Sequence, residues 1–339
     1  MFAAIDKLKT LPSFVSAIAI VILLVVLILL PSFLPRIYTF QLNAVVIAVL
    51  FAVSLNLIMG YGGMLSFGHA AYYGLAAYTS ALLIKYHLAS FGLALVAGPI
   101  VAVIAALIFG FFCVRAGGPY FLMLTLAFAQ LVHAVVYQWY TLTGGDDGIA
   151  GLLPDGMLAS PISYYYFSLA VVTVCVLVIY GILHSPFGYT LQAIRDNPTR
   201  VEMLGVSVKR YQLMAFALAG FFAGIAGSLF SFFNSQISPQ VAYWTQSAEP
   251  FMSVIIGGAN TFWGPIVGAA LYKFLSTQLA RATENSMLFM GLIALAIGLF
   301  FPGGVVGTIL EARLYKTLKR AGGNALLRRG KVEPVSDAQ

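Results

Sequence analysis

Pro250-Phe-Met-Ser-Val-Ile-Ile-Gly-Gly-Ala-Asn-Thr-Phe-Trp-Gly-Pro265 is apolar enough to enter lipid, yet it breaks at Gly257-Gly258 and again at Gly264-Pro265. The pattern predicts a short half-helix, a tight irregular turn and then a second helix. Backbone freed by such a break survives at membrane depth only where it is buried in protein or lines a cavity. How often this stretch crosses the bilayer decides the architecture.

Working outward, the chain has 339 residues, 61% of them hydrophobic and 9% charged. Soluble domains carry roughly 25% charged residues, so a soluble globular fold is excluded. A membrane-spanning helix needs about 20 predominantly apolar residues. Ser13–Leu34, Gln41–Met59, Leu65–Ile84, Phe91–Val114, Tyr120–Tyr140, Ser163–Leu183 and Tyr211–Phe233 meet that need, as does Ser286–Ile309 after the broken stretch. Val15–Leu30 is long for a signal-peptide core and is followed by Pro-Ser-Phe-Leu-Pro-Arg rather than a small-x-small site, so it reads as a retained first span.

Charge sets the orientation. Lys7 and Lys9 precede the first span, Arg195, Arg200, Lys209 and Arg210 lie in the loop 184–210, and seven more cations crowd residues 311–339. Thr141–Ser163 has no Lys or Arg but carries Asp146, Asp147 and Asp155. The positive-inside rule puts both termini and the loop in the cytoplasm and the acidic segment outside. Cations beside a membrane are topology determinants or contacts to anionic lipid, and need no nucleic acid. Termini on one side require an even number of crossings, so Pro250–Leu279 contributes none or two. The expectation is an all-α polytopic membrane helical bundle of 8–10 transmembrane segments, ten preferred, with two Gly-interrupted helices and cytoplasmic N- and C-termini. Residues 1–12 form the N-terminus, 13–310 the transmembrane domain and 311–339 a basic tail.

The second interrupted helix is announced by Gly60-Tyr-Gly-Gly63. Gly62, Gly63, Phe67, Gly68, Gly74 and Tyr78 echo Gly257, Gly258, Phe262, Gly264, Gly268 and Tyr272. Paired interrupted helices flank the substrate path in transporters built from repeats. On that ground Gly62, Gly63, Ser66, His69, Tyr72, Gly257, Gly258, Trp263 and Gly264 are candidate path residues, and Gly258 is expected to tolerate substitution less well than Gly224. Ala215, Ala219, Ala223 and Gly227 recur every four residues, a spacing that lets helix backbones approach closely.

Much chemistry is missing from the chain. No Gly-x-x-x-x-Gly-Lys-Ser/Thr loop is present to cradle ATP phosphates, and no Gly-x-Ser-x-Gly or His-Glu-x-x-His motif occurs. Cys113 and Cys175 lie in apolar runs, without the spacing of a metal cluster or disulfide framework. His69, His133 and Lys273 are the main ionisable residues in the spans, and no carboxylate reads as lying deep in one. Ion-coupled carriers keep such carboxylates, so the energy source is expected outside the chain. An intramembrane enzyme using His69 or the outer aspartates would need a convergent acid, base or nucleophile set that the sequence does not assemble. In the loop, Thr199 is placed to cap a short helix with Glu202 three residues on, and Gly205 to end it. Such an amphipathic helix, with Val201 and Leu204 apolar, suits a groove on a partner.

Gly60-Tyr-Gly-Gly-Met-Leu-Ser-Phe-Gly-His-Ala-Ala-Tyr-Tyr-Gly-Leu-Ala-Ala-Tyr78 resembles the signature of branched-chain amino-acid ABC transporter permeases. So do Tyr120-Phe-Leu-Met-Leu-Thr-Leu-Ala-Phe-Ala-Gln130, Thr143-Gly-Gly-Asp-Asp-Gly148, Ser185-Pro-Phe-Gly188 with Ala193-Ile-Arg-Asp-Asn197, and Ile255-Ile-Gly-Gly-Ala-Asn-Thr-Phe-Trp-Gly-Pro265. The likeness covers nearly all of Gln41 to Pro302 and is nearest to the larger of two permease types. It implies a subunit of a bacterial inner-membrane importer, paired with a second permease, two cytoplasmic ATPases carrying ATP-Mg and a periplasmic substrate-binding protein; no cofactor is held by this chain. It further implies that Ala193, Arg195, Asp196, Arg200, Glu202 and Gly205 feel ATPase closure. Gly144, Gly145, Asp146 and Asp147 would face the binding protein. Asn260 departs from the more usual Gly. The same family includes urea and short-chain amide systems, so the cargo stays open between these and amino acids.

Overall fold

The computed structural model describes residues 27–31, 35–152, 156–301 and 303–308. Most of the expected first span, Asp155 and the 311–339 tail lie outside them. The regular elements of the described chain are helices, except for one two-residue antiparallel pair, β1 (Ile149–Ala150) with β2 (Gln236–Ile237). The long helices are α1 (Arg36–Asn56), α2 (His69–Lys85), α3 (Phe91–Cys113), α4 (Pro119–Gln138), α5 (Pro161–Leu183), α8 (Val208–Asn234), α10 (Trp263–Ala282) and α11 (Ser286–Phe300). Three shorter ones bear on the site: α6 (Pro186–Asp196), α7 (Pro198–Met203) and α9 (Ala248–Gly257). Six helical stretches among the described residues are long and apolar enough to cross a membrane.

Two landmarks define the ends of the bundle. α6 and α7 mark a loop end, and the β1–β2 pair marks a hairpin end. α8 runs 27 residues from the first to the second. From β2 the chain threads back in irregular backbone: Ala242 Cβ would stand 2.6 Å from a methyl on Gly74, and Ser247 Oγ accepts from Ala70 N at 2.8 Å. α9 then ends at Gly258, whose missing side chain leaves room for Gly303 and Gly304 at the loop end. Because α11 returns the chain to that point, α10 and α11 are one crossing each. At 1.5 Å per residue α9 is only about 15 Å long, and the irregular segment 238–247 supplies the rest of its crossing. The broken stretch is therefore two passes and not a re-entrant dip from one face. Together with α1–α5, α8 and α11, nine passes connect the two ends among the described residues.

Some expected boundaries move. The third span begins at His69, not Leu65, because residues 62–68 form no helix. The irregular turn ends one residue before Gly264-Pro265: the second helix starts at Trp263, so both residues sit in the first turn of α10, where a proline costs no intrahelical hydrogen bond. The small-residue stripe of α8 packs against its neighbours as its spacing predicts. Ala215, Ala219 and Ala223 are fully buried, and a methyl on Gly224 would lie 2.7 Å from Ala102 Cβ of α3. Ser80 of α2 donates to Ser228 Oγ of α8 at 2.8 Å, a polar stitch in an otherwise apolar seam.

Candidate functional site

The two interrupted helices meet. α1 ends in a wide turn over Leu57–Tyr61, and Gly63 turns the chain away at φ +68°, a left-handed conformation that glycine adopts without strain. α9 stops the same way, at Gly258 with φ +109°. A side chain on Gly60 would strike the Ala259 carbonyl, so the two backbones touch there, and Asn56 Nδ2 donates to Thr261 O at 3.4 Å. Into this junction reaches Arg195 from the last turn of α6. Its Nη1 donates to Gly60 O at 2.6 Å and to Asn260 Oδ1 at 3.3 Å, one acceptor from each break. Its stem lies over Gly63, where any Cβ would stand 2.7 Å from Arg195 Cγ. Asn260 thus supplies one of the two acceptors. The third partner of the guanidinium, Asp196 at 3.3 Å, is 70% exposed and adds little.

α6 is held by its apolar face: Leu191 and Ile194 are buried, and Ile194 packs with Val201 of α7 and Val208 of α8. The cap differs from the sequence expectation. Asn197, not Thr199, caps α7, its Oδ1 accepting from Arg200 N at 3.0 Å, because Pro198 occupies the first helical position. Of the two apolar residues assigned to the docking face, Val201 points into the protein. Leu204 is 81% exposed beside Met203 at 82%. Ala193, Arg200, Glu202 and Gly205 are exposed, and Gly205 takes φ +82° to turn the chain out of α7.

Of the other candidate path residues, Gly62, Gly257, Gly258 and Gly264 are buried at the junction and Trp263 is half-buried at the start of α10. Ser66, His69 and Tyr72 lie deeper. His69 is 0% exposed, its ring stacked on Phe51 at 5.4 Å and its Nε2 2.8 Å from Ser54 Oγ. Ser54 Oγ also lies 2.8 Å from Phe51 O. Ser66 is fully buried, accepting from Gly68 N at 3.2 Å, and the Tyr72 ring meets Phe216 edge-on. In this conformation these three side chains form packed core between α1, α2 and α8.

One functional group escaped the sequence reading. Glu249 precedes Pro250 and reads as the edge of a span, yet it stands in the first turn of α9 with its side chain 16% exposed. Lys273 Nζ of α10 donates to Glu249 Oε1 at 2.9 Å, and Gln246 Nε2 to Oε2 at 3.3 Å. A carboxylate does sit in the bundle, so its supposed absence no longer argues for an outside energy source. The signal available was Lys273 itself, since a cation in a span needs a partner.

At the hairpin end the run Gly144-Gly-Asp-Asp-Gly148 makes a tight turn with three positive-φ glycines. Thr143 Oγ1 donates to Val136 O and accepts from Gly145 N, and Gly148 lies against the Ile237 carbonyl of β2. Asp146 and Asp147 are exposed. Tyr140 Oη donates to Asp147 Oδ2 at 3.0 Å, a bond that holds the phenol above its ordinary pKa.

Against known proteins, the family described as the branched-chain amino acid transport system permease component matches residues 37–298. The chain is 28% identical over 288 residues to the high-affinity branched-chain amino acid transport system permease protein LivM of Escherichia coli K12, covering 77% of this chain and 68% of that protein. It is 26% identical over 287 residues to LivM of Salmonella typhimurium, with the same coverage. A probable LivH of Methanocaldococcus jannaschii is 27% identical over 165 residues, 46% of this chain and 50% of that protein. No solved structure matches. With the family model spanning most of its length and a bundle of apolar helices around two meeting breaks, the chain belongs to the branched-chain amino acid permease family: a multi-pass membrane transport component, not an enzyme.

Proposed function

We propose that the chain is the membrane-spanning permease subunit of an ATP-driven importer in a bacterial inner membrane, moving branched-chain or related amino acids. It works with a second permease, two cytoplasmic ATPases and a periplasmic binding protein. The observation that carries the reading is the placement of Arg195. A side chain on an exposed loop, accepting force from outside, bonds the ends of both interrupted helices at once. Displacing α6 by an ångström or two breaks or remakes both bonds together, so a nucleotide-driven movement of a docked partner biases two transmembrane elements in concert.

Charge supports one orientation. Arg115, Arg195, Arg200, Lys209 and Arg210 gather at the loop end with Asp196 and Glu202, while Asp146, Asp147 and Glu284 stand at the hairpin end with Arg36, Lys85 and Arg281. That bias makes the loop end cytoplasmic. The apolar run Ser13–Leu34, read as a span from its composition alone, would bring the number of crossings to the ten that the sequence favours. Exposed Met203 and Leu204 then offer the apolar contact for an ATPase groove, and the Asp146–Asp147 turn faces the binding protein. Urea or a short-chain amide is the alternative cargo.

The test is ATP-driven leucine uptake by the complete assembly in reconstituted vesicles. Arg195→Ala should lower uptake roughly tenfold or more while the subunit still inserts and assembles. Arg195→Lys should not restore it, because an ammonium lacks the planar fork that reaches two acceptors. Unchanged uptake in both variants refutes the coupling role.

A further inference from the structure

Glu249 and Lys273 form the one ion pair inside the bundle among the described residues. They border a cavity of about 20 Å³, whose wall includes Phe51 of α1, Tyr73 of α2, Phe230 of α8 and Gln246. A cavity of that size holds about one water. Helices from both sides of the two breaks thus converge on a spot that is aromatic on one face and doubly charged on the other.

A buried ion pair is a poor device for stability, since an apolar pair of similar size serves as well or better. Ionisable groups within membrane helices are instead kept for what they bind. What can bind here follows from charge balance. Any ligand that parts Lys273 from Glu249 must replace what each loses, or leave a charge stranded in low dielectric. A neutral amide replaces neither, and a simple anion or cation replaces one. A zwitterion replaces both: its ammonium meets Glu249, its carboxylate meets Lys273, and all four charges stay paired. Its side chain falls on Phe51, Tyr73 and Phe230.

We propose that the Glu249–Lys273 pair is the cargo-recognition site of this subunit, closed on itself when empty and opened by exchange with the two poles of a zwitterionic amino acid. The proposal rests on the transport reading above and names the site within it. It also supplies a link to the loop. Glu249 and Gly257 are the two ends of α9, about 12 Å apart at 1.5 Å per residue, so a shift of the junction at Arg195 is carried by one rigid helix to the ion pair. The cavity is too small for an amino acid in this conformation, so admitting one requires the pair to part.

The experiment is ATP-driven uptake of radiolabelled leucine by the complete assembly in vesicles, normalised to assembled complex. Glu249→Gln and Lys273→Gln should each lower kcat/KM roughly tenfold or more. Combining Glu249→Lys with Lys273→Glu restores the ion pair and therefore assembly, but it reverses the poles presented to the cargo, so uptake should stay low. Full uptake in the exchanged variant, or in both single variants, overturns the proposal by making the pair structural. Without the binding protein, millimolar leucine should raise the Tm of the wild-type permease–ATPase complex and 4-methylpentanamide should not. Equal effects of the two compounds also overturn it. If wild-type vesicles accumulate urea but no leucine, the transport reading fails first; wild-type leucine uptake with unaffected variants sinks the site alone.

Discussion

A guanidinium presents its donors in a fixed planar fork, and Arg195 uses that fork to bridge Gly60 O and Asn260 Oδ1. Position decides how each neighbour is to be read. Arg195 contacts the bundle, whereas Glu202 is exposed and has no side-chain hydrogen bond among the described residues. The two residues therefore separate internal coupling from contact with a partner. Glu202→Gln should leave the thermal stability of the isolated subunit within about 0.5 kcal/mol of wild type, as surface substitutions usually do. Uptake by the full assembly should nonetheless fall, because the ATPase would lose a charged contact. A loss of subunit stability with normal uptake contradicts this assignment. The motif Ala193-Ile-Arg-Asp-Asn197 was legible in the sequence as a charged loop worth keeping; that Arg195 points inward while Glu202 points outward was not, since both sit on short polar helices of similar composition.

At the scale of elements, the breaks were visible as glycine pairs and the stripe of α8 as a four-residue period. What could not be read was which glycines stand free. Gly258 needs φ +109° and its Cβ would strike Gly303. Gly258→Val should cost roughly 1–3 kcal/mol in strain alone and abolish most uptake. Gly224→Ala is not the mild control that its helical setting suggests, because its methyl meets Ala102 Cβ at 2.7 Å and Pro99 Cα at 2.8 Å. It should destabilise by about 1–3 kcal/mol through overpacking. Gly181 of α5 has no atom within 4 Å of its would-be Cβ and is the proper control, expected to melt near wild type. Thermal melts of the three variants in mild detergent check the order. A Gly224→Ala protein as stable as Gly181→Ala would show that the α3–α8 seam yields more easily than its distances imply.

For the whole molecule, the nine described passes place Asp146 and Glu202 at opposite ends of the bundle, with both native cysteines buried. A single cysteine introduced by Asp146→Cys should react with a membrane-impermeant maleimide in intact spheroplasts. One introduced by Glu202→Cys should react only after the membrane is opened. Labelling of both from the outside would overturn the pass assignment and the orientation together. Pass number illustrates the division between what patterning can and cannot fix. Charge parity left Pro250–Leu279 with none or two crossings. Two followed once Ser247 was seen on Ala70 and Gly304 on Gly258, contacts between residues far apart in sequence.

By itself the sequence determined the class of molecule, the long spans, the two interruptions and the family. Each of these is written in local composition or in ordered motifs, and lipid leaves few alternatives for an apolar run of such length. Only the tertiary structure decided that the two interruptions meet, that Arg195 joins them, and that Glu249 is paired with Lys273 inside the bundle. Those facts depend on distances between segments up to two hundred residues apart. A one-dimensional pattern carries no record of such distances, because burial and pairing are set by which helix faces the packing brings together.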